Sequence, residues 1–175
     1  MPLSPTDAQL VKRTLRGERD AYAELVRAHQ ARAIATAHAL CGDFEAAQDI
    51  AQEAFLQGFR SLRNLRKPAA FGAWLHGIIR NLSLKHLNRE PPATASLERD
   101  DVPEPSDPPP QPSNGVLALV GALPVEHREV LAARYLQELS YQEIGQMLGI
   151  TAGNARVRCF RAKQALREAL AREEA

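Results

Sequence analysis

Two short helical patterns broken by a glycine, the second of them basic, fill Pro124–Leu170 and leave this chain few folds to choose from. Ser140 stands three residues before Glu143, the spacing of a capping box, in which each side chain caps the other's backbone N–H. Ile144, Met147 and Leu148 then line one face of a short helix, and Gly149 follows, where a left-handed turn costs glycine least. Thr151 is placed to cap the next helix. Ala155, Cys159, Ala162 and Leu166 recur every three or four residues, an inward stripe that is mostly small and lets two helices approach closely. Arg156, Val157, Phe160, Arg161 and Gln164 are turned away from it. A short helix, a tight turn and a basic second helix are the outline of a helix-turn-helix that reads DNA. The plainer reading is a small amphipathic domain kept soluble by its charges.

A second feature divides the chain. Residues 91–113 are rich in proline, serine and acid and hold almost nothing to bury, so they predict a flexible, extended, acidic linker. Charge follows the same division. Residues 1–90 carry 13 Lys and Arg against 9 Asp and Glu, residues 91–113 carry one against five, and residues 114–175 carry 8 against 7. Two modules are expected, at 1–90 and 114–175. A linker between them leaves their relative position to a partner, or lets the free chain pack them together and hide its own functional faces.

The first module reads as four helices, Thr6–Arg16, Asp20–Leu40, Phe44–Leu62 and Ala70–Asn88. Gly17 and Gly42 end the first two. No stretch alternates with period two, so an all-α bundle is expected. Phe71 and Trp74 sit on apolar faces and read as core, Trp74 in particular.

Composition narrows function. Apolar runs are short and broken by charge, which predicts no membrane insertion. The first residues lack the basic-then-apolar layout of a signal peptide, so a cytoplasmic protein is expected. Cys41 and Cys159 belong to no CxxC pair and read as small core residues. The five histidines form no helical ligand pair, so neither metal nor cofactor is expected. No glycine-rich phosphate loop, nucleophile elbow or acid pair suggests an enzyme.

Two stretches of the first module carry further chemistry. Gln48–Phe55 is polar and acidic on one face, with Ile50 and Phe55 on the other, and alone reads as an ordinary surface helix. Arg63, Asn64, Arg66 and Lys67 precede an aromatic helix that continues through Arg80, Asn81, Lys85 and Arg89. Cations interleaved with aromatics suit single-stranded nucleic acid, whose bases stack or slot into pockets while phosphates meet charge.

Four motifs in order resemble the extracytoplasmic-function (ECF) group of bacterial RNA polymerase sigma factors, over nearly the whole chain apart from the linker. DIAQEAF (Asp49–Phe55) is similar to that family's D-x-x-Q-E-x-F segment. FGAWLHGIIRN (Phe71–Asn81) is similar to its F-x-x-W-L-x-x-I-x-x-N helix. Leu123–Ile150 resembles its second DNA-binding domain, and GNARVRCFRAK (Gly153–Lys163) its recognition helix. The resemblance implies sigma region 2 in the first module and region 4 in the second. It implies that Asp49, Gln52 and Glu53 bind the β′ clamp helices of core polymerase, and that the second module meets the β flap. It implies that Arg63, Asn64, Arg66, Lys67, Arg80, Asn81 and Lys85 handle minus-ten DNA, Asn81 helping to form a pocket for a flipped base. Asn154, Arg156, Val157, Arg158, Phe160, Arg161 and Lys163 would meet the minus-thirty-five element. An anti-sigma factor is an implied partner.

The departures bear on promoter sequence rather than role. Lys85 stands where the family often has Asp, and Asn88 where a basic residue is common. Pro91-Pro92 cuts the basic tail short. Asn154-Ala155 replaces Thr-Val, and Val157 replaces Ser; valine cannot donate a hydrogen bond but can touch a thymine methyl. The competing readings are an operator-binding helix-turn-helix regulator and an adaptor that binds polymerase without DNA. The first lacks any recognisable sensory domain, and the basic helix speaks against the second.

Overall fold

The computed structural model describes residues 5–89 and 115–173; the expected linker, 91–113, lies outside the described residues. Every regular element among them is helical. The first module contains α1 (Asp7–Leu15), α2 (Arg19–Cys41), α3 (Phe44–Ser61) and α4 (Phe71–Arg89), with two short 3₁₀ turns, Leu62–Asn64 and Pro68–Ala70, between α3 and α4.

The ends of these helices follow from local chemistry. Thr6, expected inside α1, is instead its N-cap, with its hydroxyl and the Gln9 side chain capping each other's backbone N–H. Gly42 ends α2 at φ 80°, and Asp43 Oδ1 then accepts from Ala46 N–H at 2.8 Å to start α3. Two tight caps back to back make the α2–α3 corner abrupt, so these long helices fold directly onto each other.

Leu25, Ile50, Phe55, Leu62, Phe71, Leu75 and Ile79 are buried in the first core, and Trp74 packs against it half-buried. Phe71 is fully enclosed and meets the rings of Tyr22 and His29 edge-on.

The second module is more divided than two helices. It comprises α5 (Gly115–Ala122), α6 (Val125–Leu131), a π-helical turn (Ala132–Leu136), α7 (Tyr141–Leu148) and α8 (Ala152–Glu173). The capping box forms as expected: Ser140 N–H donates to Glu143 at 2.8 Å and Glu143 N–H returns to Ser140 Oγ at 3.2 Å. The Ser140 N–H and, with a smaller effect, the Ser140 hydroxyl, each donating to Oε2 at 2.8 Å, hold the Glu143 carboxyl below the usual carboxylate range. Gly149 takes φ 67°, and Thr151 Oγ1 accepts from Asn154 N–H at 3.1 Å. Ala155, Cys159 and Ala162 are buried against Val130, Leu131 and Ile144. Cys159 is thus the small core residue expected, whereas Cys41 is only half-buried.

Gly145 explains how close the two helices come. A Cβ there would lie 2.7 Å from Ile150 O and 3.2 Å from Ala152 N, so the turn is wrapped over bare backbone.

Candidate nucleic-acid interface

Three surfaces collect the residues singled out from sequence. The first is a groove between α2 and α3 of about 1190 Å³, lined by Tyr22, Val26, Arg27, Gln30 and Ile34 from one side and Asp49, Gln52, Phe55, Leu56 and Phe59 from the other. Asp49 and Gln52 are exposed on its rim, and Glu53, half-buried, accepts from Gln57 at 3.4 Å. Tyr22 OH donates to Phe55 O at 2.5 Å, and burial pushes its phenol up to about 12, so it stays a donor at any physiological pH.

Sequence reasoning missed the α2 wall and two apolar residues. Leu56 is 51 % exposed and Phe59 46 % exposed, an apolar pair left bare on the α3 side of the groove. The signal was present: Tyr22, Val26, Gln30 and Ile34 recur every fourth residue, a stripe wider than the α2 core face needs. The groove offers an apolar floor and a charged rim, the composition of a surface that receives another helix.

The second surface surrounds the 3₁₀ turns. Arg63, Asn64, Arg66 and Lys67 are all exposed, as are Asn81 and Lys85 on α4. Asn64 closes a turn anchored by Leu62, which is 2 % exposed, and Pro68 opens the next. The cations therefore stand on a short, pinned connection.

Arg80 departs from this group. It is half-buried, and its Nε lies 2.8 Å from Glu129 Oε1 of α6, off the line a hydrogen bond needs.

The third surface is α8. Asn154, Arg156, Val157, Phe160, Arg161 and Lys163 are exposed, Phe160 at 67 %. Arg158 is half-buried. Each residue turns an α-helix by about 100°, so Arg156 and Lys163 fall on one flank, Arg158 on the other, and Val157, Phe160 and Gln164 between them.

The two modules touch. Arg128 Nη1 donates to Leu40 O at 2.6 Å, Gln137 Nε2 donates to Thr36 Oγ1 at 3.0 Å, and Ala39 and Ala73 join the second module's apolar cluster. The sequence allowed such packing, but it does not hide the expected faces: the groove rim and the outer face of α8 remain exposed.

No helix among the described residues is long and apolar enough to cross a membrane.

An open α2–α3 groove, a pinned basic turn and a helix-turn-helix thus stand together on one two-module chain. The sigma-70 region 2 family model matches residues 25–91, and the sigma-70 region 4 model matches residues 113–166. The chain belongs to the sigma-70 family, as a member of its extracytoplasmic-function group. It is 32% identical to the RNA polymerase sigma-H factor of Pseudomonas aeruginosa, over 94% of this chain and 93% of that one. It is 27% identical to the ECF RNA polymerase sigma factor SigW of Bacillus subtilis, over 91% and 94% of the two chains. Among solved structures, CnrH in complex with the cytosolic domain of CnrY shares the fold at a TM-score of 0.72, with 21% identity over 97% of this chain and 99% of that chain. RpoE of Bartonella quintana, bound to the anti-sigma factor NepR, does so at 0.68, with 19% identity over 87% and 97%. The chain is accordingly an alternative sigma factor, which directs RNA polymerase to promoters for transcription initiation.

Proposed function

We propose that the three surfaces divide this work as follows. The α2–α3 groove takes the β′ clamp helices, with Asp49, Gln52, Leu56 and Phe59 on its α3 wall, and Glu53, on the same helix but outside the groove lining, adds a carboxylate to that contact. The turn carrying Arg63, Asn64, Arg66 and Lys67, with Asn81 and Lys85, holds the non-template strand of the minus-ten element. Asn81 helps to form a pocket for a base leaving the stack, so that binding energy favours the open strand. Arg80 joins them once freed from Glu129. The α8 face reads the minus-thirty-five element, with Asn154, Arg156, Arg158, Arg161 and Lys163 on phosphates or base edges and Val157 and Phe160 on apolar base edges. The second module also meets the β flap, and the intervening linker spans the two.

The observation that carries this reading is the pairing of a helix-receiving groove with a pinned, exposed basic turn on one small module. An operator-binding regulator needs neither. The work is binding, so no enzymatic activity, cofactor or metal is involved, and it belongs in the cytoplasm. An anti-sigma factor is a fitting partner, since RpoE of Bartonella quintana, which shares the fold, is solved in complex with the anti-sigma factor NepR.

The test is reconstitution. Purified chain should join core polymerase in a pull-down and support transcription on genomic DNA, while binding promoter duplex poorly alone. Asp49→Lys with Glu53→Lys should lower core binding at least tenfold with an unchanged circular dichroism spectrum. A chain that ignores core polymerase but shifts an operator unaided would overturn the reading.

A further inference from the structure

Helix α4 has two buried stripes, and only one is apolar. Phe71, Leu75 and Ile79 enter the first module's core. Ala73, His76, Arg80 and Ser83, at spacings of three and four, form the second. Ala73 packs against the second module's cluster and Arg80 faces Glu129 there. This stripe is poorly paired. Both His76 ring nitrogens and Ser83 Oγ are buried without a hydrogen-bond partner among the described residues, and His127 Nδ1 of α6 is in the same state.

Buried polar groups in a permanent interior are almost always paired. A surface that meets water in another state has no such requirement. Elsewhere the seam between the modules holds the side-chain bonds of Arg128 to Leu40 O and Gln137 to Thr36, and its first-module apolar contribution to the second cluster is two small side chains, Ala39 and Ala73, as a separable interface would have.

Separation is also required by the promoter reading, on which this inference rests. Elements named minus ten and minus thirty-five are about 25 base pairs apart, or about 85 Å at 3.4 Å per step. Modules in contact cannot lie on both. Residues 90–114 can reach at most about 90 Å, enough to let them part.

We propose that Glu129 is an autoinhibitory residue: in the free chain its carboxylate occupies Arg80, the cation that minus-ten DNA would otherwise engage, and clasps the two modules shut. Its side chain is 7% exposed against 23% for Arg80, so the pair is largely withdrawn from solvent. DNA phosphate and Glu129 compete for one guanidinium. Opening the seam is therefore coupled to loading on a promoter, and the groove and α8 stay accessible throughout.

The full chain bearing Glu129→Gln keeps the shape and removes the charge. Small-angle scattering should find wild type compact, with a radius of gyration of about 16 Å, and the variant clearly expanded. Fluorescence anisotropy with a single-stranded oligonucleotide of minus-ten length should show the variant binding at least threefold more tightly at low salt. If Glu129→Gln misfolds by circular dichroism, Gln137→Ala, which removes the Thr36 bond, replaces it with the same expected expansion and tighter binding. An unchanged radius overturns the clasp. Expansion without tighter binding overturns the competition for Arg80. Failure of the whole chain to direct core polymerase would instead sink the promoter reading, and the scattering result would still judge the clasp by itself.

Discussion

His76 should make the first module acid-sensitive by an amount that can be worked out. The ring is buried beside Arg80, and that burial, with a smaller contribution from the neighbouring cation, depresses its pKa from 6.5 to about 4. The unfolded chain therefore binds a proton near pH 6.5 that the folded chain refuses until about pH 4. Folding stability attributable to His76 is complete above pH 6.5 and falls as pH drops through that window. The two values predict a loss of about 2 kcal/mol by pH 5 and about 3 kcal/mol by pH 4. Carboxylates titrate over part of the same range, so the comparison must be with His76→Leu. Because neither ring nitrogen has a hydrogen-bond partner among the described residues, leucine forfeits no bond and should add about 1 kcal/mol at pH 7. Urea unfolding followed by Trp74, the single tryptophan of the chain, reports this module. Wild type and variant should diverge steadily between pH 6.5 and 4. Parallel pH profiles would show that the ring protonates in the folded state without penalty, and the argument from burial would be wrong.

Gly145→Val should destabilise the helix-turn-helix by at least 1–3 kcal/mol, because any Cβ there meets the backbone oxygen of Ile150 at 2.7 Å; a thermal melt of the chain should show it while pull-down of core polymerase persists. Glu138 is the one non-glycine residue at positive φ among the described residues, at 56°. Glu138→Gly should therefore stabilise by a few tenths to about 1 kcal/mol in urea titration, and a loss would refute strain at that turn. Arg156→Ala should weaken holoenzyme binding evenly across promoter sequences and reduce the salt slope by about 1. Phe160→Ala should change sequence preference and leave that slope alone.

The helices of the first module were legible because period and punctuation agreed. Gly17, Gly42 and the apolar spacing of α3 and α4 each restate one boundary. The same holds for α7 and α8, where capping box, left-handed glycine and Thr151 cap all fall where spacing put them. What stayed hidden depends on contacts between distant residues. The four-residue recurrence of Tyr22, Val26, Gln30 and Ile34 marks a stripe on α2, but that it faces α3 across an open groove is settled only by the packing of the two helices. The π-helical turn at Ala132–Leu136 is set by packing; it lets Gln137 reach Thr36, and no residue type announces it. Helix α5 carries no readable period, because Gly115–Ala122 is apolar on all sides. Arg80 looked like one more cation on a basic helix. Its pairing to Glu129 joins positions in different modules, and spacing cannot reveal that.

Helix α8, the proposed recognition helix, shows how the departures from the family pattern would act together. Arg156 and Arg158 look equivalent in sequence, yet two residues rotate a helix by about 200°, and one is exposed while the other is half-buried. They cannot share a contact. With Lys163 beside Arg156 and Arg161 turned toward Arg158, each flank carries two cations, an arrangement suited to bracketing a groove between its two phosphate strands. The arc between the flanks holds Val157 and Phe160, 47% and 67% exposed, with Gln164. Two apolar side chains so placed find no hydrogen-bond partner on a base edge; what the major groove offers them is the thymine methyl. On the proposed reading, register on DNA would come from the flanks, and discrimination from apolar contact plus whatever Asn154 and Gln164 add. A helix built this way favours thymine-bearing steps and pays little for degeneracy elsewhere. That would be sufficient if, as proposed, a second grip at the minus-ten strand shares the burden of choosing a promoter.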